Sequence, residues 1–321
     1  MNEYRVYIGL WLLLAALPSW AAEAGVVTVV DGAARVLRGT VWYKLAPGAA
    51  FQEGDVVDAA ERAQVQIELT SGGTMHIVGP AGLYAASIPA RGDKDGPSEI
   101  GFDRGWLKLV SSGAGTRVRT QAASVTMGDA IVVVHQDGKQ FELFVESGSA
   151  KIAEPTRTGR DGAIHDAAAG QYWSRDGDKP FVTERRAPPK FVSSMPRQMM
   201  ERLVNLAARF KDKRTQLSPE REIALAEADA WLTGPYRRAF ARRLSARLTD
   251  PAFRQGVEAN AAAYPDFDRI LHPDKYAPPQ TGAATSASPP PPPPQPAQTA
   301  PQKPWWQRGA ATSHVVAANG N

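Results

Sequence analysis

Short runs of β-branched residues, each closed by a glycine turn, recur from residue 25 to about residue 180. Polar and apolar residues alternate in the run Gln64–Leu69, and this period of two predicts a strand with one buried and one solvated face. Turn signals such as Asp31-Gly32 and Asp137-Gly138 separate the runs and predict hairpins or tight corners. The pattern predicts a mainly β domain over residues 25–185, built either as a sandwich or as a solenoid-like stack of short strands.

The sequence period changes after Pro188-Pro189, where apolar residues begin to recur every three or four positions. Such spacing predicts α-helices, and we expect three to five of them in a small helical domain over residues 193–276. The residues with this spacing are Met199, Leu203, Leu206 and Phe210; the predicted helix starts are Ser218-Pro219 and Asp250-Pro251; the predicted ends are Gly234-Pro235 and Pro265.

Residues 277–321 consist mainly of Pro, Ala, Gln, Thr and Ser, with six consecutive prolines at positions 289–294. Such a composition cannot bury a core, so we expect a disordered Pro-rich tail. Trp305 and Trp306 stand in this tail, where nothing local covers two indoles. They are either a docking motif on a proline-rich arm or an unselected part of the tail.

The first 21 residues have the three-part plan of a secretory signal peptide. Arg5 precedes an apolar run over residues 6–17, and the small residues Ser19 and Ala21 suit cleavage after Ala21. The run is shorter than the ~20 residues that span a bilayer, although an uncleaved anchor is the alternative, and a second candidate cut follows Ala24. We expect export to the periplasm and no stable transmembrane anchor after cleavage.

Composition excludes several kinds of chemistry. The chain has no cysteine, which excludes a lipidated cysteine, a disulfide, a thiolate metal site and a cysteine nucleophile. A net charge of +4 is too small to indicate a nucleic-acid partner. The five histidines are scattered without ligand spacing, and no nucleophile or phosphate-loop motif occurs, so we expect no metal, no cofactor and no catalytic residues.

Several stretches of the β region follow one another in a characteristic order. They are residues 25–36, residues 45–57 with the corner Gly54-Asp55, residues 65–77, residues 104–109 beginning Arg104-Gly105-Trp106, residues 117–125, residues 144–152, and Ala168-Ala169-Gly170-Gln171. In this order they resemble the FecR periplasmic domain, a family named for the ferric-citrate regulator. The sequence departs from the family pattern at Gly72-Gly73, where Asp-Gly is usual, and at residues 128–133, which lack its Thr and Phe.

The resemblance implies an all-β envelope module of the sensing or protein-contact type. A transmembrane sigma regulator of that family has a cytoplasmic segment and a membrane helix before this domain, and here a signal peptide stands in their place. We therefore do not expect sigma-factor regulation by this chain itself. Any signal would pass through another protein.

Arginines crowd one predicted helix, from Tyr236 to Leu248, whose apolar residues step by four. This amphipathic pattern has two interpretations. The arginine face is either solvated and paired with the acidic residues Glu220, Glu222, Glu227 and Asp229 of the helix before, or it contacts anionic lipid or peptidoglycan carboxylates. The candidate interaction residues are Arg237, Arg238, Arg242, Arg243 and Arg247, together with Trp305 and Trp306.

These observations favour a non-enzymatic function. The leading hypothesis is a periplasmic binding, sensing or protein-interaction module whose partner is another envelope protein. The alternative is a structural envelope protein that binds peptidoglycan or anionic surface polymers. An enzyme acting on the cell wall is a third and weaker hypothesis, because the sequence contains no acid/base or nucleophile constellation.

Overall fold

The computed structural model describes residues 23–89, 96–113, 115–156 and 160–276. It confirms a mainly β fold with a few helices toward the C-terminus. The strands of the described residues are β1 (Glu23–Asp31), β2 (Ala34–Arg38), β3 (Val41–Lys44), β4 (Ala50–Gln52), β5 (Val56–Ala59), β6 (Gln64–Leu69), β7 (Gly73–Ser87), β8 (Ser98–Ser111), β9 (Thr116–Arg119), β10 (Ser124–Met127), β11 (Ala130–Asp137), β12 (Gln140–Ser147), β13 (Ser149–Pro155), β14 (Asp161–Ala168), β15 (Tyr172–Asp176), β16 (Val182–Glu184) and β17 (Ser218–Glu222).

The described α-helices are short. They are α1 (Pro189–Ser194), α2 (Arg197–Met200), α3 (Leu225–Thr233), α4 (Arg237–Leu244), α5 (Pro251–Ala259) and α6 (Pro265–Leu271). Three 3-10 helices accompany them, at Ala207–Phe210, Ser245–Thr249 and Pro273–Tyr276.

The strands form two hydrogen-bonded ladders that share β7 and β8. The first ladder has the order β4-β1-β6-β7-β8-β11-β12-β15-β16. The second ladder has the order β17-β3-β2-β5-β7-β8-β9-β10-β13-β14. These neighbours are antiparallel except β8 and β9, which run parallel.

Strands β7 and β8 belong to both ladders because each changes neighbours along its length. Residues 74–78 of β7 pair with β6, whereas residues 81–84 pair with β5. Glycines lie at the change of neighbour. A Cβ on Gly79 would stand 1.9 Å from the carbonyl oxygen of Ala60, and Gly105 of β8 has a φ of +94°. Both positions therefore need glycine, and the two strands carry the chain from one layer into the other.

Both ladders contribute side chains to one hydrophobic core. The first ladder supplies residues such as Val27, Ile67 and Leu109, and the second supplies residues such as Val57 and Val118. Two layers that enclose a common core define a sandwich. The structure is therefore a sandwich and not a solenoid-like stack.

The outer face of the first ladder is not solvated, contrary to the prediction from alternation. Gln66 and Glu68 are 4% and 7% exposed, because residues 199–207 lie over them. The helix predicted from the spacing of Met199 to Phe210 is also wrong, since residues 202–206, between α2 and a 3-10 helix, are not helical. Side chains of the ladder bond to the backbone of this segment, and these tertiary contacts outweigh its local helical pattern.

Helices α3 to α6 pack on the second ladder and share its buried residues. Leu37, Trp42 and Val56 of the ladder lie in one hydrophobic cluster with helix residues that include Trp231 and Phe240. The described residues form one compact unit. The helical region is therefore packed as part of the β structure.

The local helix signals have mixed outcomes. Asp250 caps α5 as predicted, since its side chain accepts a hydrogen bond from the backbone N–H of Ala252 at 3.0 Å. Helix α3 ends before Gly234, also as predicted. Pro265 begins α6 instead of ending a helix, because proline fits the first helical turn. The helix predicted to start at Ser218-Pro219 is wrong, since these residues lie in β17 and pair with β3.

No helix of the described residues is long and apolar enough to cross a membrane. The predicted signal peptide, residues 1–21, and the predicted tail, residues 277–321 with Trp305 and Trp306, lie outside the described residues.

Candidate binding groove beside helix α4

Helix α4 is amphipathic, as the sequence predicts, and its apolar side packs on aromatic rings. Phe240 is buried and stacks on Trp231 with ring centroids 5.3 Å apart, and it meets the edge of Tyr84 at 4.9 Å. Leu244, one turn further along, is fully buried. This packing fixes the helix on the second ladder and turns its arginines in other directions.

Two of the five predicted interaction arginines hold the fold together. The Arg243 guanidinium donates hydrogen bonds to three backbone carbonyl oxygens, those of Leu37 at 2.9 Å, Gly39 at 2.6 Å and Gly54. Burial lowers the pKa of Arg243. Arg247 donates to Asp250 at 2.8 Å and lies over the ring of Phe253. The structure therefore assigns structural contacts to both residues.

The other three arginines line a groove between α4 and the second ladder. This basic groove has a volume of about 640 Å³, and its functional groups come from Arg119, Gln121, Tyr236, Arg237, Arg238 and Arg242. Arg119 ends β9, whereas Tyr236 begins the first turn of α4. Residues more than a hundred positions apart in sequence thus present cations to one space.

The α4 side of the basic groove is more exposed than its ladder side. Arg237 pairs with Asp266 at 2.9 Å, and Arg238 approaches the same carboxylate at 3.6 Å with 81% of its side chain exposed. Arg242 is exposed, and no carboxylate of the described residues pairs with it. Arg237 and Arg238 share one carboxylate, and Arg242 pairs with none of the described carboxylates. This side of the groove therefore has a net positive charge.

Glu99 joins the two walls of the basic groove from beneath. It accepts a hydrogen bond from the hydroxyl of Tyr236 at 3.0 Å and lies 3.6 Å from the Arg119 guanidinium. Burial, and then the charge of Glu99, raise the pKa of Tyr236 far above its usual range, so that this phenol is a neutral donor. The Tyr236 ring covers Gly101, where a Cβ would stand 2.6 Å from the ring. This close contact fixes the start of α4.

The groove can bind anions. None of the described residues that line it is an Asp or a Glu. Guanidinium groups bind carboxylate and phosphate oxygens through paired N–H donors. The lining contains no histidine, and the described residues contain no group of His, Asp and Glu able to hold a metal ion. Its composition is that of a binding site for negatively charged groups.

The sequence indicated the α4 half of this site but missed Arg119 and Gln121. The alternation in β9 predicts that Arg117 and Arg119 share the face opposite buried Val118. That signal identifies the face of the strand. It does not reveal that α4, from a distant part of the sequence, covers that face.

Comparison with known proteins adds little. No protein-family profile and no curated protein matches the sequence. Two crystal structures of a "putative anti-sigma factor" from Parabacteroides distasonis, at 1.65 and 2.50 Å resolution, are similar to 41% of this chain at 12% identity and a TM-score of 0.34. The match spans 59% of the solved chain, which is less than two thirds of its length. A similarity this weak does not establish a shared fold, and the FecR resemblance stays a prediction.

Proposed function

We propose that this protein is a non-enzymatic binding module of the cell envelope that holds an acidic segment of a partner protein in the basic groove. The observation that carries the proposal is the convergence of Arg119, Arg237, Arg238 and Arg242 on a groove without a lining carboxylate. A FecR-like role in sensing or protein contact agrees with a site of this kind.

The size of the groove favours a polypeptide segment over a single small anion. A volume of about 640 Å³ lies within the range of sites that enclose ligands of many atoms. The cations are spread over α4 and β9, so a ligand must present several acidic groups to meet them all. A glutamate- or aspartate-rich stretch has this chemistry.

Export to the periplasm is part of the proposal, and β1 bears on where a signal peptide is cleaved. Ala24 is 4% exposed, and its carbonyl oxygen accepts a hydrogen bond from the backbone N–H of Thr70 at 2.9 Å. Cleavage after Ala24 would remove this contact and the start of β1, which pairs from Glu23 onward. We therefore favour cleavage after Ala21, with a mature chain that begins at Ala22.

The test compares a groove variant with a variant of equal charge. The groove variant carries Arg238→Gln and Arg242→Gln. The control carries Arg197→Gln and Arg254→Gln, two arginines whose side chains are 90% and 55% exposed and which do not line the groove. Each chain carries a photo-crosslinking amino acid in place of Gln121 and is expressed with its natural N-terminus in Gram-negative bacteria. The intact cells are then irradiated. N-terminal sequencing of the recovered chain checks its export and cleavage site.

We expect one crosslinked protein species in the unmodified and control chains and about thirtyfold weaker binding of it by the groove variant, since two charge-assisted contacts of ~1 kcal/mol each are lost. Binding of purified chain to poly-L-glutamate should weaken with salt, and less steeply in the groove variant. Equal crosslinking in all three chains would reject the groove as the site. If the chain sediments with purified sacculi and the groove variant does not, the ligand of the groove is a wall polymer and not a protein.

A further inference from the structure

Residues 199–207, here called the strap, cross the outer face of the first ladder, and residues 202–206 of the strap belong to no helix or strand. Met199 is fully buried at its start, and Ala207 opens the 3-10 helix at its end. Between them the strap makes no strand pairing with the ladder. The strap lies on side chains that project from β6, β7 and β8.

The ladder holds the strap mainly by its backbone. Three buried side chains, Gln66, Glu68 and Lys108, make five hydrogen bonds to backbone atoms of the strap. The Lys108 ammonium donates to the carbonyl oxygens of Met199 at 2.9 Å and Glu201 at 3.0 Å, Gln66 donates to that of Val204 at 2.8 Å, and the Glu68 carboxylate accepts from the N–H groups of Leu206 at 2.6 Å and Ala207 at 3.0 Å. Contacts to backbone atoms are open to any extended chain of suitable register.

Few of the strap's own side chains contribute to its hold. Met199 is fully buried and the Asn205 side chain accepts a hydrogen bond from the Thr74 hydroxyl at 3.2 Å, but Met200 and Val204 are 54% and 61% exposed, although both are apolar. Glu201 and Arg202 are exposed as well. A segment with few buried apolar side chains has a low free energy of local opening. The strap is therefore held chiefly by hydrogen bonds, which another chain can replace.

His76 shows that the strap does not fully satisfy the face it covers. The side chain is 7% exposed, and neither ring nitrogen has a hydrogen-bond partner among the described residues. Gln66 and Lys108 are the register neighbours of His76 on either side. The strap bonds to both of these neighbours but gives the ring of His76 no hydrogen bond.

We propose that this face is a second binding site, for an extended segment of a partner protein, and that the strap is its displaceable occupant within the chain. The partner's backbone takes the bonds of Gln66, Glu68 and Lys108, and a hydroxyl or amide side chain of the partner pairs with His76. The site goes beyond the proposed function. It lies on the first ladder, apart from the arginines of the basic groove, so either proposal can fail without the other.

The first test measures hydrogen exchange of the unmodified chain. We expect the backbone N–H groups of Leu206 and Ala207 to exchange at least about a hundredfold faster than those of β6 beneath them, because the strap opens without unfolding the ladder. Exchange of both segments at one common rate would mean that the strap opens only with global unfolding, and this result overturns the proposal.

The second test supplies the occupant as a separate peptide of residues 197–210. Its binding is measured to the unmodified chain, to a chain with the strap weakened by Met199→Ser, and to the Arg238→Gln, Arg242→Gln groove variant. We expect at least about tenfold tighter binding to the weakened chain, and no change in the groove variant. In a set of peptides with a single Asn substitution at each position from 201 to 204, at least one should bind at least about fivefold tighter than the natural peptide, because its amide can pair with His76.

The control peptide is N-methylated at Leu206 and Ala207, which removes the two N–H groups that Glu68 accepts. We expect it not to bind. Equal binding of the methylated and natural peptides would overturn the proposal, as would a failure of every peptide to bind the weakened chain. Dimerisation of the weakened chain by exchange of straps would make a second copy the occupant and would also overturn the proposal as stated.

Discussion

His76 is buried, and neither of its ring nitrogens has a hydrogen-bond partner among the described residues. Burial, and then the charge of Lys108, lower its pKa to about 4, while Glu201 of the strap acts in the opposite direction. The ring is therefore neutral at pH 7 in the folded chain, and it acquires a proton only in acid. Its unfolded form keeps the usual pKa of 6.5.

We expect the free energy of unfolding to fall as the pH drops from 7 to 5. In this window the unfolded chain binds a proton at His76, whereas the folded chain does not do so until the pH approaches 4. The stability contributed by the neutral ring is complete above pH 6.5 and decreases by about 2 kcal/mol between pH 7 and pH 5. Urea denaturation at the two pH values measures the change.

The variant His76→Gln provides the control, because glutamine does not titrate. Its unfolding free energy should lose about 2 kcal/mol less than that of the unmodified chain over the same window. The pKa of Glu227 is lowered to about 2, chiefly by the hydrogen bond from Arg221. The stability that its carboxylate contributes is therefore lost only below this pH window. Equal pH dependence in the two chains would contradict the effect assigned to His76.

Helix α4 contributes side chains both to the contacts of the fold and to the lining of the basic groove. Adjacent residues on a helix point about 100° apart, so Arg242 faces the basic groove while Arg243 enters the turns of the second ladder. The sequence predicts the helix and its apolar stripe, because both depend on local spacing. It does not distinguish a groove arginine from a structural one, because that difference depends on the carbonyl oxygens of Leu37, Gly39 and Gly54.

We expect Arg243→Ala to lower the free energy of unfolding by about 3 kcal/mol, because three backbone carbonyl oxygens lose a charged donor. Arg242→Ala should change it by less than about 0.5 kcal/mol, as is usual for an exposed side chain. Denaturant unfolding of the two variants beside the unmodified chain makes the comparison. Similar losses in both would show that the two arginines do not divide their roles in this way.

A short sequence signal predicts the structure correctly when the contact that it depends on is local. Asp250 bonds a backbone group two residues away, so its capping role is readable from the sequence. Ser218-Pro219 carries the same signal, but its backbone pairs with β3, some 170 residues earlier in the chain. The strap fails as a helix for the same reason, since Gln66 and Glu68 determine its conformation. Such long-range partners leave no local trace in the sequence.

At the scale of the whole molecule, the sequence predicted the β and helical regions but not how closely they pack. The composition changes near residue 190, and this change suggested separate domains. The structure instead places Leu37, Trp42 and Val56 of the β region under α3 to α6. An inward-facing apolar residue on a strand reveals burial, but it does not reveal which element covers it.

We expect the chain to unfold in one cooperative calorimetric transition, because the helices and the second ladder share a buried cluster. A chain ending after Glu222 should expose Leu37, Trp42 and Val56, bind a hydrophobic dye and lose that transition. Two separate transitions in the longer chain would contradict this expectation. A well-folded truncated chain would do so as well.

The shared hairpin of β7 and β8 also determines the order in which the sheets can be completed. In both ladders the strands from β1 to β6 lie on the β7 side, and the strands from β9 to β16 lie on the β8 side. When the chain emerges N-terminus first from a ribosome or a translocation channel, each later strand can therefore pair with strands that have already emerged. Only β17 returns to the earlier flank, where it pairs with β3 after the rest of the β structure has emerged.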